Sequence, residues 1–375
     1  MTEIITGNCI DILPTLPAQS VQCCVTSPPY WGLRDYGTAQ WEGGEAGCEH
    51  IVGEIRTGSG MSALGERYRG GGHKASEPLP MMAKELCPKC GARRIDSQFG
   101  LESTPEEYIA KMVAVFREVW RVLKPDATCW INLGDSYATS NPAGRRDSGN
   151  GTSAKFGDHE IAGSFESSTR KTPGLKPKDL CMMPARLAMA LQADGWYLRS
   201  EIVWHKLNPM PESVTDRPTK AHEMIYLLAK QQRYFYDADA IREPHVDFER
   251  GNNDGQENGG HRKNGYERED LIIRWKPNNE TKRQYNPNGR NKRSVWTVAT
   301  QPYAEAHFAT FPEEIPKLCI LAGSKPGDTV LDPFAGSGTV GQVALELGRR
   351  AVLIELSPAY IELASERTNV TAGFF

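Results

Sequence analysis

Hydrophobic positions along this chain follow two periods. Short apolar runs read as buried strands: EIITG near the start, VQCCVT at 21–26, TCWINLG ending at 134, Val330-Leu331 and AVLIE ending at 355. Between them the spacing is helical. Thr104 is an N-cap candidate with Pro105 at the first helical position, and Ile109, Met112, Val113, Phe116, Val119, Trp120 and Leu123 follow at helical intervals. Pro125-Asp126 reads as the turn into the next strand. Further helices are predicted in KDLCMMPARLAMALQAD, stopped by Gly195, in PEEIPKLCILAG, from Thr339, and in SPAYIELASERT. Leu198 to Trp204 alternates imperfectly as a strand, and HEMIYLLAK and RYFYDADAI read as two strands or as a strand and a turn. Strands alternating with helices predict a doubly wound α/β sheet.

Three stretches lack either period. Residues 41–100 are Gly-rich and mark an insertion, while 138–178 and 242–293 are polar. Composition adds little, with 39% hydrophobic and 24% charged residues. No apolar run reaches membrane-spanning length, and the first residues show no secretory signal pattern. Six of the nine cysteines lie in apolar surroundings without spacing, which suits a reducing cytoplasm. The net charge is −3, but Arg262 to Arg293 holds ten Lys/Arg against four Asp/Glu. That local excess suits either a solvated loop or a phosphate-facing surface.

Two constellations carry chemistry. In TVLDPFAGSGTVGQVALEL a buried strand ends at Asp332-Pro333-Phe334, a turn holds Gly336 and Gly338, and a helix starts at Thr339. Glycines beside a helix N-terminus let a ligand approach the backbone. Glu355 ends the following strand, where an acid accepts from ribose hydroxyls. Asp332 at the strand end would repel a pyrophosphate and suits a cationic amino group, which favours S-adenosylmethionine over a dinucleotide. Near the N-terminus, VQCCVT runs into Ser27-Pro28-Pro29-Tyr30, a loop with no backbone donor at either proline.

TSPPY together with DPFAGSGT resembles the β-group DNA amino-methyltransferases, in which the catalytic half precedes the cofactor half. The segment HFATFP, with Phe311, is similar to the family's further cofactor segment. ITGNCIDIL resembles the segment that touches the cofactor adenine, although Asn8 replaces the usual acid and the nearest acid is Asp11, which also reads as a helix-start residue. The resemblance implies a Rossmann-like S-adenosylmethionine-dependent methyltransferase sheet in circularly permuted motif order. It divides the chain into a catalytic segment (1–40), an insertion (41–100), a continued catalytic segment (101–205), a target-recognition region (206–295) and a cofactor segment (296–375).

The chemistry gives the Pro-Pro loop a purpose. An exocyclic amino nitrogen is a poor nucleophile until its hydrogens are accepted and its lone pair is directed. The resemblance makes Ser27 and the Pro28 carbonyl the acceptors, with Pro29 stiffening the loop and Tyr30 stacking on the extruded base. Ring-carbon methylation would need a nucleophilic Cys after a Pro, and no Pro-Cys dipeptide occurs. Ser27 as first residue of the loop resembles the cytosine-N4 members, with adenine N6 as the alternative. A DNA-binding module without turnover, or an RNA or small-amine methyltransferase, are readings of other classes.

The insertion holds Cys48-x-His50 and Cys87-x-x-Cys90, the spacing of a structural Zn2+ knuckle, with His73 as a spare ligand. A Gly-rich segment without its own core is where a metal supplies stability. The partner implied is double-stranded DNA, read by the basic and Asn-rich run before RSVWTV, which is expected to order on DNA. A homodimer and a cognate restriction endonuclease stay open, as does host or phage origin in a bacterial cytoplasm.

Overall fold

A computed structural model describes residues 2–32, 38–50, 86–138, 174–244, 286, 288–301, 311–370 and 373–374. His73, residues 307–310 and most of the basic run lie outside them.

Eleven strands are described: β1 (Glu3–Thr6), β2 (Val21–Thr26), β3 (Gln40–Glu42), β4 (Arg93–Ile95), β5 (Leu123–Leu133), β6 (Tyr197–Lys206), β7 (His222–Ala229), β8 (Val295–Val298), β9 (Thr329–Asp332), β10 (Arg350–Glu355) and β11 (Gly373–Phe374). The α-helices are α1 (Cys9–Ile12), α2 (Pro105–Val122), α3 (Met183–Ala193), α4 (Glu314–Gly323), α5 (Thr339–Glu346) and α6 (Pro358–Thr368). Nine strands form one sheet in the order β11-β1-β10-β9-β2-β5-β7-β6-β8, and β3 pairs with β4 separately. All neighbours in the large sheet are parallel except those of β7, which runs against β5 and β6.

Alternation splits the strand residues between two cores. Ile5, Cys24, Cys129 and Ile131 pack with Met112, Phe116 and Leu187 of α2 and α3. Ile4, Cys23, Val25 and Trp130 pack with Ile315, Cys319, Val340 and Ala364 of α4, α5 and α6. Both faces of the sheet are thus covered, which is why β2 is buried at every position. No described helix is long and apolar enough to cross a membrane.

One sequence expectation is corrected. Pro125-Asp126 does not turn the chain into β5. The strand begins at Leu123 directly after α2, and the prolyl segment falls in the register shift between the pairs Val21–Leu123 and Cys23–Thr128. A proline has no ladder proton, so a bulge is where a buried strand tolerates one. Of the two readings of HEMIYLLAK and RYFYDADAI, the strand and turn holds: the first is β7, and the second forms no strand among the described residues and ends in a 3-10 turn at Asp239–Ile241. Within residues 206–295, β7 joins the large sheet between β5 and β6.

Candidate functional site

The parallel strands end on one edge of the sheet, where a cleft of about 530 Å³ opens. It lies across the junction of β9 and β2, the two central strands contributed by the two ends of the chain. Ligand crevices in open α/β sheets form at such junctions.

One side of the cleft is built from a short stretch of chain. Asp332 ends β9 and is 3% exposed. Its Oδ1 accepts from Thr26 Oγ1 at 2.7 Å and from Phe334 N at 3.0 Å. Burial pushes its carboxyl up to about 7; the two hydrogen bonds pull the other way, and the nearby Glu355 charge adds to the rise. Glu355 ends β10, and its Oε2 and Oε1 accept at 2.8 Å from Gly336 N and Ser357 N. Burial raises its pKa against those backbone donors. One carboxylate therefore ties together the turns that open α5 and α6. Gly338, at φ +78°, precedes α5, and a Cβ there would sit 2.9 Å from Ala364 Cα. Thr339 opens the helix and accepts from Arg367 Nη1 at 2.9 Å. Pro333, Phe334, Gly336, Thr339, Glu355 and Phe311 all line the cleft, and Phe334 meets Phe99 edge-on at 5.4 Å. Asn8 also lines it, capping α1 through Ile10 N at 3.2 Å and donating to Ser97 O at 3.4 Å. Asp11 is exposed on α1, and it and Gly338 are not among the lining residues.

The other side is assembled from distant segments. Ser27, Pro29 and Tyr30 line the cleft and Pro28 is buried. Ser27 Oγ donates to Asn132 Oδ1 at 3.2 Å. The Tyr30 hydroxyl lies 2.6 Å from Glu223 Oε2 and 3.0 Å from Asn132 Oδ1. A phenol has one proton, and the charged, shorter contact takes it. Lys206 Nζ donates to the other Glu223 oxygen. Asn132 Nδ2 is held by Met224 O at 3.2 Å. Tyr108 OH donates to Pro29 O at 2.9 Å, and Gly32 N to Gly100 O at 2.8 Å. The Tyr30 ring rests so closely on Gly134 that a Cβ there would be 2.4 Å from Tyr30 Cε2. Asn132, Gly134, Glu223, Lys206 and Tyr108 escaped sequence reasoning. The available signals were a polar residue and a glycine at the exit of a buried strand (INLGD) and a carboxylate opening an apolar one (HEMIYLLA).

The insertion brings together its four candidate ligands. The ligand atoms of Cys48, His50, Cys87 and Cys90 lie within 4.8 Å of one another, and Cys90 Sγ is 3.3 Å from His50 Nδ1. Cys87 N donates to Ala92 O at 2.7 Å and Gly91 N to Cys87 O at 2.8 Å, a tight turn fixed by β3 and β4. The segment after β4 then runs into the cleft, where Gln98 and Phe99 form part of its wall. The described end of the basic run folds against the chain: Arg290 and Arg293 pair with Glu243 at 3.3 and 3.4 Å.

Comparison with known proteins matches this arrangement. A family model described as DNA methylase covers residues 21–366. The Type II methyltransferase M.Cfr9I of Citrobacter freundii is 38% identical over 362 residues, 96% of this chain and 85% of its own. The Type II methyltransferase M.SmaI of Serratia marcescens is 38% identical over 366 residues, 97% of this chain and 90% of its own. The solved structure of PvuII DNA methyltransferase, described as cytosine-N4-specific, shares the fold at a TM-score of 0.53 and 14% identity, over 98% of this chain and 86% of its own. The chain belongs to the DNA methylase family of N6 and N4 amino-methyltransferases.

Proposed function

We propose that this protein methylates the exocyclic N4 of cytosine at a specific duplex DNA sequence, using S-adenosylmethionine. The observation that carries the reading is the Thr26–Asp332 hydrogen bond of 2.7 Å. It joins the strand ending in Ser-Pro-Pro-Tyr to the strand ending in Asp-Pro-Phe, so acceptor and donor sites share one cleft.

The residues fit the cofactor. A buried carboxylate whose pKa burial raises gains most from a cationic ligand, and Asp332 is suited to an amino group. We assign Glu355 to the ribose hydroxyls, and Phe334, Phe311 and Asn8, which line the same cleft, to the adenine side. When bound, S-adenosylmethionine supplies an electrophilic methyl on a sulfonium. The chain's own part is orientation. Because Ser27 spends its proton on Asn132, its oxygen presents lone pairs that accept from a base NH2. Pro28 and Pro29 hold the neighbouring carbonyls still, and Tyr30, fixed by Glu223 and Gly134, offers a stacking face. No covalent nucleophile is required. Ser27 is the residue that favours cytosine over adenine.

Three thiolates and an imidazole suit tetrahedral Zn2+, whose sulfur ligands stand about 3.8 Å apart for bonds of about 2.3 Å. We assign Cys48, His50, Cys87 and Cys90 to that ion. The basic run before β8 is assigned to DNA contact.

The test uses purified protein, labelled S-adenosylmethionine and DNA, with RNA as competitor, followed by nucleoside mass spectrometry. N4-methylcytosine is expected, with Ser27→Ala reducing transfer at least about 100-fold. N6-methyladenine instead would overturn the base assignment. No DNA-dependent transfer would overturn the whole reading.

A further inference from the structure

The run Leu207-Asn208-Pro209-Met210-Pro211 leaves β6 at the mouth of the cleft. Met210 is 78% exposed, the highest value among the exposed large apolar residues described, and Leu207 is 63% exposed. A loose loop is not the reason. Asn208 Oδ1 accepts from Thr300 N at 2.8 Å, and its Nδ2 donates to Thr300 O at 3.3 Å. Two residues beyond Met210, Glu212 accepts from Arg217 Nη1 at 2.6 Å and from Lys220 N at 3.4 Å. The Arg217 guanidinium lies 4.0 Å from the centre of the Tyr137 ring. Prolines on either side fix φ around Met210. The result is an apolar side chain held out into solvent on a stiff, pinned backbone, lining the same cleft as Ser27 and Tyr30.

We propose that Met210 is the wedge that enters the base stack as the target base leaves it. This rests on the base-methylation reading above. A base drawn into the cleft leaves a gap bounded by two stacked faces, and the loss of stacking opposes extrusion. An apolar side chain in the gap recovers that contact, as intercalating residues do in DNA-bending proteins. A thioether on an unbranched chain adapts to any neighbouring pair and carries no strong donor or acceptor, so the wedge leaves sequence choice to other residues. The pinned backbone means that little is left to order on insertion.

The test compares single-turnover methylation on two duplexes carrying the sequence found modified in expressing cells. One is fully paired; the other has a pyrene nucleotide opposite the target, whose ring fills the vacated space. Met210→Ala is expected to be about tenfold slower than wild type on the paired duplex and within about twofold on the pyrene duplex, with unchanged S-adenosylmethionine affinity. Met210→Leu should recover most of the loss on paired DNA. Equal rates for Ala and wild type on paired DNA would overturn the proposal, as would a deficit that persists on the pyrene duplex, which would place Met210 on the base itself. Wild-type protein that methylates no DNA overturns the base-methylation reading and this inference together, whereas active wild type with an unaffected Met210→Ala variant overturns the inference alone.

Discussion

The two sides of the cleft are built by opposite strategies. The side holding Asp332 and Glu355 comes from one strand-turn-helix-strand unit, and its carboxylates are held mainly by backbone amides at 2.8 to 3.0 Å. The side holding Ser27 and Tyr30 is kept in place by side chains from β5, β6, β7 and α2, which are far apart in sequence. Backbone donors survive most substitutions. Side-chain partners do not, so the acceptor side is the more fragile half.

That contrast predicts separable failures. The largest effect is expected for Gly134→Ala. Its Cβ would lie 2.4 Å from Tyr30 Cε2, so the ring must move, and a displacement of that kind lowers the methylation rate about 100-fold. Calorimetry should show unchanged cofactor affinity, and equal weakening of both would break the comparison.

Asp332 gives the next effect, and it tests the donor side alone. Its carboxyl is raised from 3.8 to about 7, chiefly by burial, with Glu355 as the other facing acid. A raised pKa contributes stability fully present below the unfolded value and lost as pH rises through the folded one. The cofactor-free protein should therefore weaken between about pH 4 and 7, and Asp332→Asn should remove that loss. The gain at pH 8 reaches at most about 4 kcal/mol, at about 1.36 kcal/mol per pKa unit, and thermal melts across pH would show it. A cationic ligand needs the ionised form, so wild-type S-adenosylmethionine affinity should fall up to about tenfold per pH unit below 7 and level off above it. A flat binding profile would exclude Asp332 as the counter-charge.

The smallest effect links the insertion to the donor side. Metal should be found at about one ion per chain and be lost in Cys87→Ser/Cys90→Ser. Stripping it should loosen the segment carrying Phe99 and forfeit its edge contact with Phe334. That contact is worth about 1 kcal/mol, so cofactor affinity should fall about fivefold. The melting of the main sheet should stay in place, since β3 and β4 are not part of it.

The same contrast explains what was readable beforehand. The strand end at Asp332, the glycine turn, the helix start at Thr339 and the strand end at Glu355 were legible because they are local events with their own residue signatures. The Ser-Pro-Pro-Tyr loop was legible for the same reason, as were the Thr104 cap of α2 and the knuckle spacing. Pro125 misled, because a proline signals a turn whereas a register shift within a covered sheet accommodates it equally well. β7 was legible as a strand but not in its place between β5 and β6, because an apolar run does not name its neighbours. Asn132, Glu223 and Lys206 have no signature, because what brings them to the cleft wall is which strand ends lie side by side.

Local backbone chemistry was thus written along the chain: alternating strands and helices, two rigid turns at strand ends, and four metal-type ligands in a Gly-rich insertion. Tertiary structure alone decided that the two turns face one cleft across a 2.7 Å bond between Thr26 and Asp332. It also decided that Tyr30 is held by a carboxylate 193 residues away and that Met210 stands exposed at the mouth. Pairing order in a sheet is chosen by the burial of both its faces at once, a global condition that no short stretch of sequence contains.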